Sequence, residues 1–307
     1  MLSRRDFLSS TLGAGTALAL QGPLAAQPNR RMIVDAQIHL WKAESEDWKW
    51  VPGLQPQLPE PFTIERAISM MDEAGVDRAV IVPPSWPGDR NDYALEAVKR
   101  YPTRFRVMGR LTIQDPKALD QLPKWKDQPG MVGVRVIFNT PTTIPWLTDG
   151  TADRFFAAAE KAGLPVMCFA PGNTAKFGPI AERHPGLQLI LDHMGATAAM
   201  LQDNTLADAI ATTASLAKYP NVSVKVSASP GLSRQPYPFR DVADHIKRVF
   251  DAYGPQRSYW GTDLTNSYAK ASYRQRISHF TEELSFLSEG DKDQVMGRAI
   301  VARLKWT

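Results

Sequence analysis

The chain has 307 residues, 43% of them hydrophobic and 22% charged, with a formal net charge of +4. These proportions describe an ordinary globular protein with a sizeable core, and so mild a positive excess, without any Lys/Arg run, excludes a phosphate-tracking surface for nucleic acid. The single Cys168 excludes an intrachain disulfide, so stability has to come from packing.

In chain order, the first feature is a targeting segment over residues 1–26. Ser3-Arg4-Arg5-Asp6-Phe7-Leu8 is a paired-arginine leader, followed by an apolar stretch from Thr11 to Leu20 and by small residues at Ala25-Ala26. That combination predicts passage through the twin-arginine export machinery, cleavage near Ala26 and a periplasmic location. The apolar stretch is too short and too interrupted to span a bilayer, which takes ~20 residues, so no membrane attachment is expected after cleavage.

Residues 27–307 are expected to form a single domain. Val/Ile-rich runs recur at residues 32–36, 79–82, 105–108, 132–137, 165–169, 187–191, 222–226 and 258–260. Stretches with helical spacing separate them: Ile64, Ala67, Ile68 and Met71 fall on one helix face, with Thr63 as N-cap and Gly75 as stop. Asp115-Pro116 opens another helix, and Thr151 opens one that runs through Phe155, Phe156 and Ala159 to Gly163. Eight such pairs suit an α/β fold of the (β/α)8 TIM-barrel kind, whose usual size is ~250 residues. A doubly wound open sheet would need a glycine-rich loop after the first strand, and Val34-Asp35-Ala36-Gln37 is not one.

Residues 42–61, with Trp48, Trp50 and four prolines, lack periodicity. They read as a long first βα loop, either a wall over the barrel mouth or tryptophans packed on outer helices.

In a barrel, polar groups at the carboxyl ends of strands converge on one mouth. His39 follows the first run, His193 the sixth and Asp263 the eighth. Arg110, Arg135 and Lys225 lie at strand ends or within strands, where a charge needs a partner. For Arg135 and Lys225 that partner is a substrate carboxylate or one of Asp35, Asp192 and Asp263. His184, His245 and His279 fall in predicted helices and read as packing or surface residues, and Cys168 reads as a small core residue. Asn139, Thr140, Asn173 and Asn266, in loops after strands, suit substrate contacts or turns.

Val34-Asp35-Ala36-Gln37-Ile38-His39-Leu40-Trp41, Asp192-His193-Met194-Gly195 and Trp260-Gly261-Thr262-Asp263 resemble the amidohydrolase-related TIM-barrel family. The chain is most similar to its lactonase branch, which includes 2-pyrone-4,6-dicarboxylate hydrolases and sugar-acid lactonases. The resemblance implies a hydrolase acting on a small carboxylated lactone, with Asp263 as general base and His39, His193 and Gln37 stabilising the oxyanion. Substrate contacts are expected from Arg135, Lys225, Arg110 and Trp41. Family members carry His-x-His after the first strand, and here the first of that pair is Gln37. An amide is a poor zinc ligand, so no cofactor is expected to be required. One divalent metal such as zinc, held by His39, His193 and Asp263, stays open. So do a metal-dependent decarboxylase or lactone isomerase on the same barrel and a non-catalytic binding protein.

Overall fold

The computed structural model describes residues 30–306, so the leader expected at residues 1–26 lies outside the described residues. Eight strands form one sheet: β1 (Val34–Ile38), β2 (Arg78–Ile81), β3 (Phe105–Gly109), β4 (Met131–Ile137), β5 (Val166–Phe169), β6 (Leu189–Leu191), β7 (Val222–Ser227) and β8 (Ser258–Gly261). Neighbours pair in parallel in sequence order from β1 to β8. This is the (β/α)8 barrel that the alternation predicts. Among the described residues no helix is long and apolar enough to cross a membrane.

The helices form where the spacing places them. Ile64–Ala74 starts at Thr63, whose side chain accepts from the Arg66 N–H, and ends at Gly75 with φ 79°, a conformation open to glycine at no steric cost. Ile64, Ala67 and Met71 are its buried face. Thr151–Lys161 buries Phe155, Phe156 and Ala159 in the same way. Inside the barrel, Val34, Ala36, Val80, Met108, Met167, Ile190 and Tyr259 form a second apolar cluster, completed by Ile300, Leu304 and Trp306 near the C-terminus.

β1 departs from simple alternation. Asp35 pairs with Ala79 and Ile38 with Ile81, so β1 spends one residue more than β2 over that interval. This is a β-bulge, a device that re-aims side chains. It sets Ala36 and Gln37 against Val80 alone, and both enter the barrel. The seam between β8 and β1 is held by the Asp263 N–H donating to the Gln37 carbonyl at 3.0 Å. Buried Asp35 braces it, accepting from the backbone N–H of Gln37 (3.0 Å) and of Thr262 (2.8 Å), from the Thr262 hydroxyl and from the Tyr273 hydroxyl (2.7 Å). A Cβ on Gly261 would come within 3.3 Å of Asp35 and of the Ala36 and Gln37 nitrogens, so glycine lets the two strands approach.

Candidate active site

His39, one residue past β1, donates from Nδ1 to the Val82 carbonyl at 2.6 Å, because a carbonyl can only accept. Its Nε2 therefore faces Asp263, whose Oδ1 is 3.0 Å away. His193 lies in the turn after β6 at φ 52°, and Asp263 follows β8 at φ 46°. Both are left-handed conformations that cost a non-glycine residue about 1 kcal/mol or more. His193 Nδ1 meets the Ser227 hydroxyl at 2.8 Å, and its Nε2 lies 3.5 Å from Asp263 Oδ2. Gln37 Nε2 is within 3.3 Å of both imidazole Nε2 atoms and 3.4 Å of Asp263 Oδ1.

Burial pushes the His193 imidazole down to about 4, against the pull of Asp263 and Asp192. Burial would raise the Asp263 carboxyl, but His193, His39 and Asn266 outweigh it and hold the group well below the usual carboxylate range. Asn266 donates to Asp263 Oδ2. Asp263 is thus an anion at the meeting point of two imidazoles and two amides.

These residues line a cavity of about 360 Å³ together with Arg135 and Phe169. Asp192, fully buried beneath it, pairs with Arg135 Nε at 3.1 Å and Lys225 Nζ at 2.7 Å. The acid partner of both cations is Asp192, not Asp35 or Asp263. Arg135 still reaches the cavity, its guanidinium 5.6 Å from the Phe169 ring centre. Arg110 pairs with Asp89 at 3.1 Å and lines an adjoining cavity of about 310 Å³ that also touches Arg135. Burial lowers its guanidinium, with Asp89 opposing.

The sequence profile of the amidohydrolase family matches residues 34–300. The chain belongs to the amidohydrolase family. It is a hydrolase of that family, and it is 24% identical over 234 residues to L-fucono-1,5-lactonase of Burkholderia ambifaria, covering 75% of this chain and 79% of the relative. It is 28% identical over 230 residues to 4-sulfomuconolactone hydrolase of Hydrogenophaga intermedia, covering 73% and 69%. In fold it is similar to a zinc-bound amidohydrolase of Burkholderia multivorans, with a TM-score of 0.75 at 19% identity, covering 89% of this chain and 99% of that one.

Two of the expected substrate contacts of this amidohydrolase, Lys225 and Trp41, are not among the residues that line the cavity. Lys225 sits fully buried on the inward face of β7, donating to Gln37 Oε1 and Met167 Sδ with the Asp192 carboxylate as its ion-pair partner. Trp41 is turned into the layer between strands and outer helices, edge-on to Trp86 at 5.0 Å. Trp86 lines the cavity instead. Burying a whole indole there is more favourable than leaving it beside a polar site.

The amidohydrolase donor set also bears on the metal. Lys225 can only donate, so the Gln37 amide oxygen faces Lys225 and its N–H₂ faces His39, His193 and Asp263. A cation at the centre of those three would meet two amide protons where a lone pair is needed, and the set does not fit zinc. Among the described residues no His, Cys, Asp and Glu grouping of three or more has the arrangement of a metal site.

The remaining residues fall as follows. Trp48 packs edge-on against Tyr93 of the helix Asp92–Arg100 at 5.8 Å, while Gln57 of the same loop lines the cavity, so the loop serves both as packing and as wall. Asn139 and Asn266 line the cavity; Thr140 bonds Thr143 and Asn173 closes a turn onto Pro171. Cys168 and His279 are buried, and His184 pairs with Glu160 at 3.0 Å. Sequence reasoning missed Trp86, Phe169, Gln57 and Ser227. Only Ser227 carried a signal, lying two residues from Lys225 on the same strand face.

Proposed function

We propose that this amidohydrolase opens a small carboxylated lactone, of pyrone or sugar-acid type, by adding water across the ring ester without a metal. The observation that carries the reading is an ionised Asp263 within 3.5 Å of two imidazoles in a cavity that Arg135 also lines. The lactone-hydrolysing relatives support the same bond type.

Asp263 takes a proton from a water molecule as the water oxygen bonds to the ring carbonyl carbon. Protons on His39, His193 and the Gln37 amide stabilise the oxyanion, each such donor contributing ~3 kcal/mol to the transition state. The carbonyl then re-forms, the ring C–O bond breaks, and the proton on Asp263 passes to the departing oxygen. A lactone with a good leaving oxygen needs less electrophilic help than an amide, which makes hydrogen bonds sufficient. Arg135 holds a substrate carboxylate, its planar fork matching two oxygens. The paired-arginine leader supports a periplasmic place of work.

The test is a screen of purified protein against sugar-acid lactones and pyrone carboxylates, with and without a chelator. Ring opening that chelation leaves unchanged supports the reading. No turnover of any carboxylated lactone, or turnover abolished by chelation and restored by zinc, overturns it.

A further inference from the structure

The Gln37–Lys225 contact spans β1 and β7, 188 residues apart in sequence, and joins two fully buried side chains. Three facts bear on it. First, Gln37 enters the barrel only because of the bulge in β1. Second, Lys225 is anchored from beneath by Asp192 and touches Met167, so its ammonium has no other place to go. Third, Arg135 and Lys225 share the single carboxylate of Asp192, which sets two cations against one carboxylate directly under the amide. If the amide turned over, its N–H₂ would face an ammonium, donor against donor.

We propose that Lys225 is a positioning residue. It fixes the Gln37 amide with its protons toward His39, His193 and Asp263, and with its own charge it keeps a divalent cation out of that centre. The substrate-side polariser in this chain is therefore an amide held by a lysine. The inference deepens the metal-free hydrolysis proposed above, and its first test needs no substrate.

The full chain is incubated with excess zinc chloride, desalted, and its zinc content measured by mass spectrometry. The wild type is expected to retain less than a tenth of an equivalent. Lys225→Met frees the amide to turn its oxygen inward while Arg135 still neutralises Asp192, and its retained zinc should rise ~10-fold or more, the usual scale for groups that orient metal ligands. In a Gln37→His/Lys225→Met double variant retention should approach about one equivalent, and His39→Ala added to it should abolish retention.

Near-stoichiometric zinc in the wild type, lost on His39→Ala, would overturn the proposal. So would retention in Lys225→Met no higher than in the wild type, measured on protein whose melting transition shows it folded. The wild-type measurement needs no variant, so the proposal stays exposed even where a variant does not fold. A kinetic arm separates positioning from packing: on any substrate found, Lys225→Met should lower kcat with KM nearly unchanged. A rise in KM alone would overturn the positioning role while leaving the hydrolase reading standing.

Discussion

Asp263 Oδ1 lies 3.0 Å from His39 Nε2, while the other ring nitrogen of His39 donates to the Val82 carbonyl. This places the Nε2 edge of His39 beside Asp263 in the cavity, where the proposed mechanism needs an oxyanion-stabilising donor. His39→Asn removes it while keeping a polar side chain, and kcat is expected to fall by ~10²–10³ with little change in KM. Steady-state kinetics on the lactone found in the screen checks this.

Arg135 is tied to Asp192 by one nitrogen and keeps the rest of its fork toward the cavity. Arg135→Lys preserves the charge opposite Asp192 but loses the two-pronged match to a carboxylate. KM for a carboxylated lactone is expected to rise ~10-fold or more, corresponding to about 1.5 kcal/mol or more. The same variant should discriminate poorly between the acid and its methyl ester, whereas the wild type should favour the acid.

Asp35 accepts four hydrogen bonds across the β1–β8 seam. Asp35→Ala strands two backbone N–H groups and two hydroxyls in a buried place, each costing ~1–3 kcal/mol when left unpaired. A loss of roughly 4 kcal/mol is expected, because partial relaxation recovers some of the sum. Urea denaturation should show it as a lower midpoint at unchanged slope.

His279 is fully buried, and burial pushes its imidazole down to about 4. In the unfolded chain it titrates near ~6.5, so between those values the unfolded state binds a proton that the native state refuses. Its contribution is therefore complete above pH ~6.5 and is lost as pH falls toward 4, by up to about 3 kcal/mol. His279→Gln should flatten the acid side of the stability profile by that amount. His193, shifted in the same direction, leaves a residual slope. Denaturation midpoints at a series of pH values between 4 and 8 decide it.

Much of this was legible in the sequence because apolar runs mark strand ends. His39, His193 and Asp263 each follow such a run, and the barrel brings their side chains within hydrogen-bonding range. Gln37 and Lys225 were visible as residues but not as a pair, since a bulge that shifts one strand by a residue leaves no mark in a hydrophobic pattern. The first apolar run covers residues 32–36, whereas the strand is Val34–Ile38. Its Asp35 and Gln37 are polar yet buried, and they interrupt the apolar signal. The exchange of Trp41 for Trp86 on the cavity wall has the same character: which indole faces the substrate depends on how two loops pack against each other.

The central claim is that Asp263 removes the proton from water. Asp263→Asn keeps the shape and the contact with Asn266 but cannot hold that proton, so kcat on a carboxylated lactone is expected to fall by ~10³–10⁴ while the affinity for substrate changes little. An Asp263→Asn protein that folds, binds the lactone and opens it at the wild-type rate would contradict the account.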